Sequence, residues 1–245
     1  RDLHSFPTRR SSDLEPVADA GLLRGVADEG GWWPEFSSNE EALDRAVRAI
    51  ERAGYRPGED IGIALDVAAT QFRDGGGYRL ATDDRRLSTE AMVWMLADWC
   101  RRYPIVLVED PVAEDDDAGM AAFTVAVGND VQVVGDDYLV TSAARVDRAA
   151  GLRACNAALI KPNQAGTLTE TRAAFEAARK AGWRTVISAR SGETEDVTIV
   201  HLACGWRSDQ LKVGSFARSE RMAKWNEALR IEAQSRGGSI FAGWR

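Results

Sequence analysis

Three acidic residues lie at or near the ends of three successive apolar runs. The runs IGIALD, IVLVED and VQVVGDD carry Asp66, Glu109 and Asp136 near their carboxyl ends. If they were brought together, three carboxylates would repel one another and lose solvation, and a hard divalent cation would offset both effects. All-oxygen ligation with open positions suits Mg²⁺. Taken singly, each acid is explained as well by a helix cap or an arginine partner, but the repetition favours a metal site.

Two lysines belong to later runs of the same kind. Lys161 ends AALIK, and Lys212 lies within QLKVGS. A lysine at the inner end of a buried strand is unfavourable unless it is paired, and beside a metal it can serve as a general base. It can equally provide counter-charge to the acids. The pattern is compatible with one lysine in each role.

A polar loop follows another apolar run, RTVISARS. Ala189 stands immediately before Arg190, Ser191 and Gly192, and three acids follow at 193, 195 and 196. The abrupt change from apolar to charged residues indicates a buried strand that opens into a functional loop. An alanine in the middle of this polar chemistry is unexpected.

The elements that must position these residues alternate between strands and helices. Short continuous apolar runs suit parallel strands that are covered on both faces. Helices are predicted to begin at Ser38, which forms a capping box with Glu41, and at Ser88, and to end at Gly54 and before Pro104. The six apolar runs are IGIALD (61–66), IVLVED (105–110), VQVVGDD (131–137), AALIK (157–161), RTVISARS (184–191) and QLKVGS (210–215).

This alternation predicts an α/β fold with a parallel sheet, either open and doubly wound or curled into a (β/α) barrel. No G-x-G-x-x-G follows the first strand and no G-x-x-x-x-G-K-[ST] occurs, which weakens the nucleotide-binding open sheets. In a barrel the charged residues at the strand ends would all converge on one mouth, so we predict a barrel. Four tryptophans on the helices are predicted to be packing residues: Trp94, Trp99, Trp183 and Trp225.

The composition is that of an ordinary globular protein of 245 residues. A net charge of −7 argues against a nucleic-acid partner. No apolar run approaches the ~20 residues of a membrane span. Cys100, Cys155 and Cys204 are far apart in the chain, which favours a reduced cytoplasmic protein over a disulfide framework or a zinc site.

From about Glu15 to about Glu232 the sequence resembles enolase (phosphopyruvate hydratase) in its C-terminal barrel domain. Seven segments occur in the order and spacing seen in that family. They are ADEGG (27–31), ALDVAATQF (64–72), VEDPVAEDD (108–116), VGDDYLVT (134–141), LIKPNQAGTLTET (159–171), SGETED (191–196) and KVGSFARSERMAKWNEALRIE (212–232).

The resemblance implies a Mg²⁺-dependent lyase of glycolysis that dehydrates 2-phosphoglycerate to phosphoenolpyruvate. The proton next to a carboxylate is weakly acidic, so its removal requires cations on the developing aci-carboxylate. By resemblance, the roles are metal ligation by Asp66, Glu109 and Asp136, proton removal by Lys161, contact with the substrate carboxylate by Lys212, assistance to the departing hydroxyl by Glu29, and phosphate contact by Arg190 and Ser191.

The sequence departs from the family pattern at Ala189, where the family has a histidine. Alanine cannot donate a hydrogen bond or a proton, so that function is lost or reassigned. His201 is predicted to lie on the following helix as a packing residue and not to substitute. The alternatives are an enolase-like enzyme that enolises a different phosphorylated or phosphonylated acid, and a non-catalytic relative kept for binding. Retention of the acids and lysines disfavours the last.

The two ends of the chain are expected to differ from the domain between them. Residues 1–14 are rich in Arg and Ser like a transit peptide, but they contain acids and resemble translated sequencing adapter. We expect the barrel domain over 15–236 and a tail over 237–245. Relative to enolase, the small N-terminal domain and the first barrel strands are absent, so about six of eight strand units are expected. We expect such a chain to be inactive alone, and its parent to be a homodimer.

Overall fold

The structure, a computed structural model, describes residues 23–235 and begins with an antiparallel hairpin of β1 (Leu23–Val26) and β2 (Trp32–Pro34). The two predicted tails, 1–14 and 237–245, lie outside the described residues. Helix α1 (Asn39–Arg52) follows, and Ser38 Oγ accepts from the backbone N–H of Glu41, as the capping box predicts. The Glu41 carboxylate accepts from Ser37.

The other elements alternate as the apolar runs predict. The remaining helices are α2 (Thr89–Arg102), α3 (Asp117–Val127), α4 (Ala143–Leu152), the short α5 (Pro162–Ala165), α6 (Leu168–Lys180), α7 (Thr198–Trp206) and α8 (Ser219–Gln234). The remaining strands are β3 (Ile63–Asp66), β4 (Arg73–Asp74), β5 (Gly77–Leu80), β6 (Arg85–Leu87), β7 (Ile105–Glu109), β8 (Gln132–Gly135), β9 (Ala157–Ile160), β10 (Arg184–Ile187) and β11 (Gln210–Leu211).

Six strands form one parallel sheet in the spatial order β11-β10-β9-β8-β7-β3. Each strand is therefore added beside the previous one, without the reversal of direction that defines a doubly wound sheet. The sheet curls into a partial barrel with helices outside, which confirms the prediction of an incomplete (β/α) barrel. A small antiparallel sheet, β4-β5-β6, lies between β3 and α2 in the chain.

The strands are apolar on both faces because both faces are buried. On β9, Ala157 and Leu159 belong to a small interior cluster with Val134 and Val186, while Ala158 and Ile160 join the larger cluster under the helices. Alternate side chains of a strand point to opposite faces, so one apolar run supplies two cores. This packing fixes the directions in which the strand ends present their polar residues.

Two predictions about individual side chains are wrong. Trp94 is 65% exposed because Met92, Met95 and Leu96 occupy the buried face of α2, and Trp94 lies about 200° around the helix from Met92. His201 does lie on α7, but it is not a packing residue. Its side chain is exposed, and its Nε2 is 3.2 Å from Glu227 Oε1.

Among residues 23–235, no helix has both the length and the apolar character needed to cross a bilayer.

Candidate active site

The carboxyl ends of the parallel strands bring the predicted site residues together. The register of β3 and β7 sets Asp66 beside Glu109, and Lys212, which follows β11, reaches both from across the mouth. Its Nζ lies 2.7 Å from Asp66 Oδ2 and 2.9 and 2.8 Å from the two Glu109 oxygens. The two edge strands of the sheet are thus bridged at this end by a single ammonium.

Glu109 is the most deeply buried acid of this group, with 2% of its surface exposed. Burial raises the pKa of Glu109 to about 8, with the Lys212 ammonium opposing the shift and the Asp66 carboxylate adding to it. Burial alone would lower the pKa of Lys212, but Glu109 and Asp66 outweigh that effect and raise it. One ammonium therefore contacts two carboxylates. When both acids are ionised, Lys212 neutralises only one of the two negative charges.

Lys161 and Asp136 form a second, separate ion pair in the mouth. Both side chains are buried, and Lys161 Nζ donates to Asp136 Oδ2. The backbone of Lys161 is held by Thr141, whose Oγ1 accepts from the Lys161 N–H at 3.0 Å and donates to Gln164 Oε1 at 2.6 Å. Gln164 in turn reaches the other Asp136 oxygen at 3.5 Å. The neighbouring loops thus fix Lys161 from both its backbone and its side chain.

Asp110 is a buried acid to which the sequence analysis gave no role. Its two carboxylate oxygens accept the backbone N–H groups of Asp136 and Asp137 at 3.0 and 2.8 Å. Burial raises the pKa of Asp110 to about 7, against the opposing effect of the Asp136 N–H. Asp110 also has a left-handed φ of 43°. In the sequence, Asp110 is visible only as the second acid of VED. Its hydrogen bonds indicate that it positions the backbone of Asp136.

The phosphate end predicted by resemblance lies on the loop after β10. Ser191 Oγ donates to Glu29 Oε1 at 2.8 Å, which joins this loop to the turn between β1 and β2. Arg190 Nη1 lies 3.5 Å from Asp137 Oδ1, and both side chains are about half exposed. The Glu29 carbonyl accepts from the Ser215 N–H at 2.8 Å, so the same turn is also fixed to the segment after β11.

Most of these groups line one cleft of about 300 Å³, and Glu109 lies next to it through its contact with Lys212. Ala189 lines the cleft and is 8% exposed, at the position where the resemblance implies a histidine. A larger cavity of about 710 Å³ lies near the amino ends of the strands, around Pro104, Gln132 and Gln210, and shares no lining residue with this cleft. The cleft is lined by Glu29, Asp66, Ala68, Gln71, Asp110, Asp136, Asp137, Lys161, Ala189, Arg190, Ser191, Gly192 and Lys212.

The chemistry of the donors suits a divalent cation. The cleft and Glu109 together contribute six carboxyl groups but only three basic side chains, Lys161, Arg190 and Lys212. Within the described ranges, the acids whose oxygens lie within 4.8 Å of one another are Asp110, Asp136 and Asp137. Asp110 accepts two backbone N–H groups, Asp136 accepts from Lys161 and Gln164, and Asp137 lies near Arg190, so a bound cation would replace part of these contacts. Asp66 and Glu109, the other two predicted ligands, lie outside this cluster and are paired with Lys212.

A partial (β/α) barrel with acids, lysines and a polar loop at its carboxyl mouth defines a barrel enzyme domain. Residues 17–245 match the family model described as "Enolase, C-terminal TIM barrel domain". The chain is also 50% identical over 216 residues to Enolase 1 of Desulfitobacterium hafniense (strain Y51), covering 87% of this chain and 49% of that protein. The chain belongs to the enolase family, and it spans about half the length of this curated relative.

Proposed function

We propose that the protein from which this chain comes is a Mg²⁺-dependent lyase that dehydrates 2-phosphoglycerate to phosphoenolpyruvate. The observation that carries the proposal is the meeting of Lys161, Lys212 and three acids with the Arg190–Ser191 loop in one cleft. A candidate metal site at one end and the Arg190–Ser191 pair at the other match a substrate that bears a carboxylate and a phosphate. Enolase family membership supports the same reaction class.

The chain's own groups divide the reaction between them. Lys161 removes the proton next to the substrate carboxylate, and it can do so only as the neutral amine, after its ion pair with Asp136 is released. Lys212 stays positively charged because Glu109 and Asp66 raise its pKa, and it would contact the substrate carboxylate once a metal replaces it on those two acids. Asp66, Glu109 and Asp136 would hold Mg²⁺, which when bound supplies positive charge to the developing aci-carboxylate.

The leaving group departs at the other end of the cleft. Glu29, oriented by the Ser191 hydroxyl, provides the acid that assists the departing hydroxyl. Arg190 and Ser191 bind the phosphate. The hydrogen bond from Ser191 to Glu29 would fix the phosphate site relative to the Glu29 carboxylate.

One observation favours a second candidate, which is enolisation of a different phosphorylated or phosphonylated acid. Ala189 lies in the cleft beside Arg190, where it offers neither a hydrogen bond nor a proton. His201 points to Glu227 on α8 and does not line the cleft. The proton-removing end is retained and the leaving-group end is altered, which is the pattern expected if only the substrate has changed.

A fusion distinguishes the candidates. In it, residues 15–245 replace the matched region of Enolase 1, and turnover of 2-phosphoglycerate is followed by the ultraviolet absorbance of the enol product, with Mg²⁺ or with a chelator. Mg²⁺-dependent turnover supports the lyase. An inert fusion that gains activity with Ala189→His supports the second candidate, whereas two inert fusions that are folded would contradict the first.

We also propose that the full-length protein is a cytoplasmic homodimer that acts on a small phosphorylated carboxylate, without a nucleic-acid or membrane partner. The free thiols of Cys100, Cys155 and Cys204 support a reducing compartment. Sedimentation of the fusion tests the dimer, and a monomer at micromolar concentration would contradict it.

A further inference from the structure

Two buried cations on α8 lie behind the polar loop that follows β10. Arg221 is 1% exposed and Lys224 is 0% exposed, although both carry a positive charge that is costly to bury. Neither side chain lines the cleft. Their contacts are with backbone carbonyls and, for Lys224, with the Glu193 side chain, so any role they have in the cleft is exerted through other residues.

The Arg221 guanidinium joins two loops of the site. Its Nη1 donates to the Val213 carbonyl at 2.9 Å, and its Nη2 donates to the carbonyls of Arg190 and Ser191 at 3.3 and 2.6 Å. Its Nε has no hydrogen-bond acceptor within the described part of the chain, and it lies 3.9 Å from Glu220 Oε1. The guanidinium therefore forms its hydrogen bonds with backbone carbonyls.

The direction of those carbonyls fixes the direction of the peptide N–H groups. In a trans peptide the C=O and the following N–H point to opposite sides. With the carbonyls of Arg190 and Ser191 turned to Arg221, the N–H groups of Ser191 and Gly192 point away from it, and both of these residues line the cleft. Successive N–H groups aimed into a concavity attract anions.

Lys224 fixes the far side of the same loop. Its Nζ donates to the Thr194 carbonyl at 2.8 Å and pairs with Glu193 at 2.9 Å. Asn163 Nδ2 donates to the other Glu193 oxygen at 3.0 Å. The loop is thus held at both ends from α8 without the use of any group that faces the cleft.

We propose that Arg221 is a positioning residue that presets the Arg190–Gly192 loop, together with the segment at Val213, for the phosphate end of the substrate. This rests on the proposed function for the identity of the anion. The arrangement of the loop itself does not depend on it.

The test uses the 245-residue chain with Arg221→Met, Arg221→Lys and, as a control on the exposed face of α8, Arg230→Met. Hydrogen exchange of the loop peptides and calorimetric binding of inorganic phosphate and of Mg²⁺ alone are measured for each. For Arg221→Met we expect faster exchange confined to the loop and about tenfold weaker phosphate binding, with unchanged Mg²⁺ binding. Arg221→Lys is expected to recover part of both losses, and Arg230→Met to resemble the parent.

A loss of phosphate binding without a loss of Mg²⁺ binding distinguishes a positioning role of Arg221 from a general loss of stability. A folded Arg221→Met chain with unchanged loop exchange, or with equal losses of phosphate and Mg²⁺ binding, would overturn the proposal. If Arg221→Met does not fold, the same comparison is made with Arg221→Lys. If the parent chain binds no phosphate, the proposed function fails at that end, and loop exchange alone decides whether Arg221 positions the loop.

Discussion

At the scale of single residues, the sequence predicted which side chains lie together in the cleft better than which partners they have, and the roles assigned to them stay predictions. The meeting of Asp66, Glu109 and Lys212 is confirmed in the structure, since all three follow from strand ends in register. The role of Asp110 was missed because a carboxylate that accepts backbone N–H groups has no signature beyond a second acid. The buried role of Arg221 was missed for a similar reason, because carbonyl acceptors belong to every residue type.

Replacing Lys161 should remove the base and leave the fold. In the fusion, Lys161→Met is expected to lower kcat by about 10²-fold or more, because the other lysine that lines the cleft, Lys212, is held by Asp66 and Glu109 and cannot take over as the base. Steady-state kinetics measures this loss, with the exposed Lys180→Met on α6 as control. Unchanged kcat in Lys161→Met would remove Lys161 from the mechanism.

Replacing Asp110 should disturb the site through the backbone. Asp110→Asn exchanges one acceptor oxygen for a donor that faces an N–H group of Asp136 or Asp137. We expect a loss of about 1–3 kcal/mol in the free energy of unfolding, measured by urea denaturation. The exposed Asp130→Asn provides the matched control and should differ little from the parent. Equal stability of the two variants would show that the two backbone bonds carry little energy.

At the scale of elements, the order of strands and helices could be predicted because both periodicities are clear in the sequence. The capped helices begin at Ser38 and Ser88 as predicted. The β4-β5-β6 sheet was not predicted, since its strands are two to four residues long and mostly polar. The exposure of Trp94 shows the limit of residue type, because the rotation of α2, and not its composition, decides which side chain is buried.

Gly214 should be required for the contact between two elements. It has a φ of +117°, and a Cβ there would lie 2.6 Å from the Glu29 carbonyl oxygen and 3.0 Å from Arg221 Cδ. Gly214→Ala is therefore expected to push the turn that carries Glu29 away from the segment after β11 and to lower kcat in the fusion. Gly151→Ala, where a Cβ would have open space, is the control. Equal kcat in both variants would contradict the contact.

Helices α1 and α2 should be held together more strongly above pH 4 than below it. Glu40 accepts from Arg102 and from Trp99 Nε1, and these bonds hold its pKa at about 2. The folded pKa lies below the unfolded value of about 4.3, so the ionised Glu40 stabilises the fold above that value, and the effect is lost as the pH falls toward 2. Melting temperatures of the parent and Glu40→Gln should differ most at about pH 6, differ less at about pH 3 and converge toward about pH 2. A constant difference would exclude this ionisation as the cause.

At the scale of the whole molecule, the sheet has two edges, β3 and β11, which are bridged at the mouth by Lys212. The spatial order of the strands could be predicted from their sequence order, because right-handed βαβ units place each new strand beside the last. The extent to which the curled sheet encloses its interior could not be predicted, because it depends on side-chain packing across the sheet.

The chain alone is expected to show no turnover of 2-phosphoglycerate. It spans about half of the length of Enolase 1, and a site completed by the other half would be open to water on one side. Assaying the 245-residue chain beside the fusion, at equal concentrations and with Mg²⁺, tests this. Measurable turnover by the chain alone would contradict the prediction.

The most direct test of the site is whether the fusion exchanges the proton next to the carboxylate of 2-phosphoglycerate with solvent. In deuterated water, nuclear magnetic resonance follows this exchange even if dehydration itself is slow, so the result does not depend on Ala189. We expect exchange with Mg²⁺, and none with a chelator or in Lys161→Met. Exchange that survives Lys161→Met, exchange without a metal, or no exchange by the folded fusion with Mg²⁺ would contradict a metal-dependent enolisation site built on Lys161.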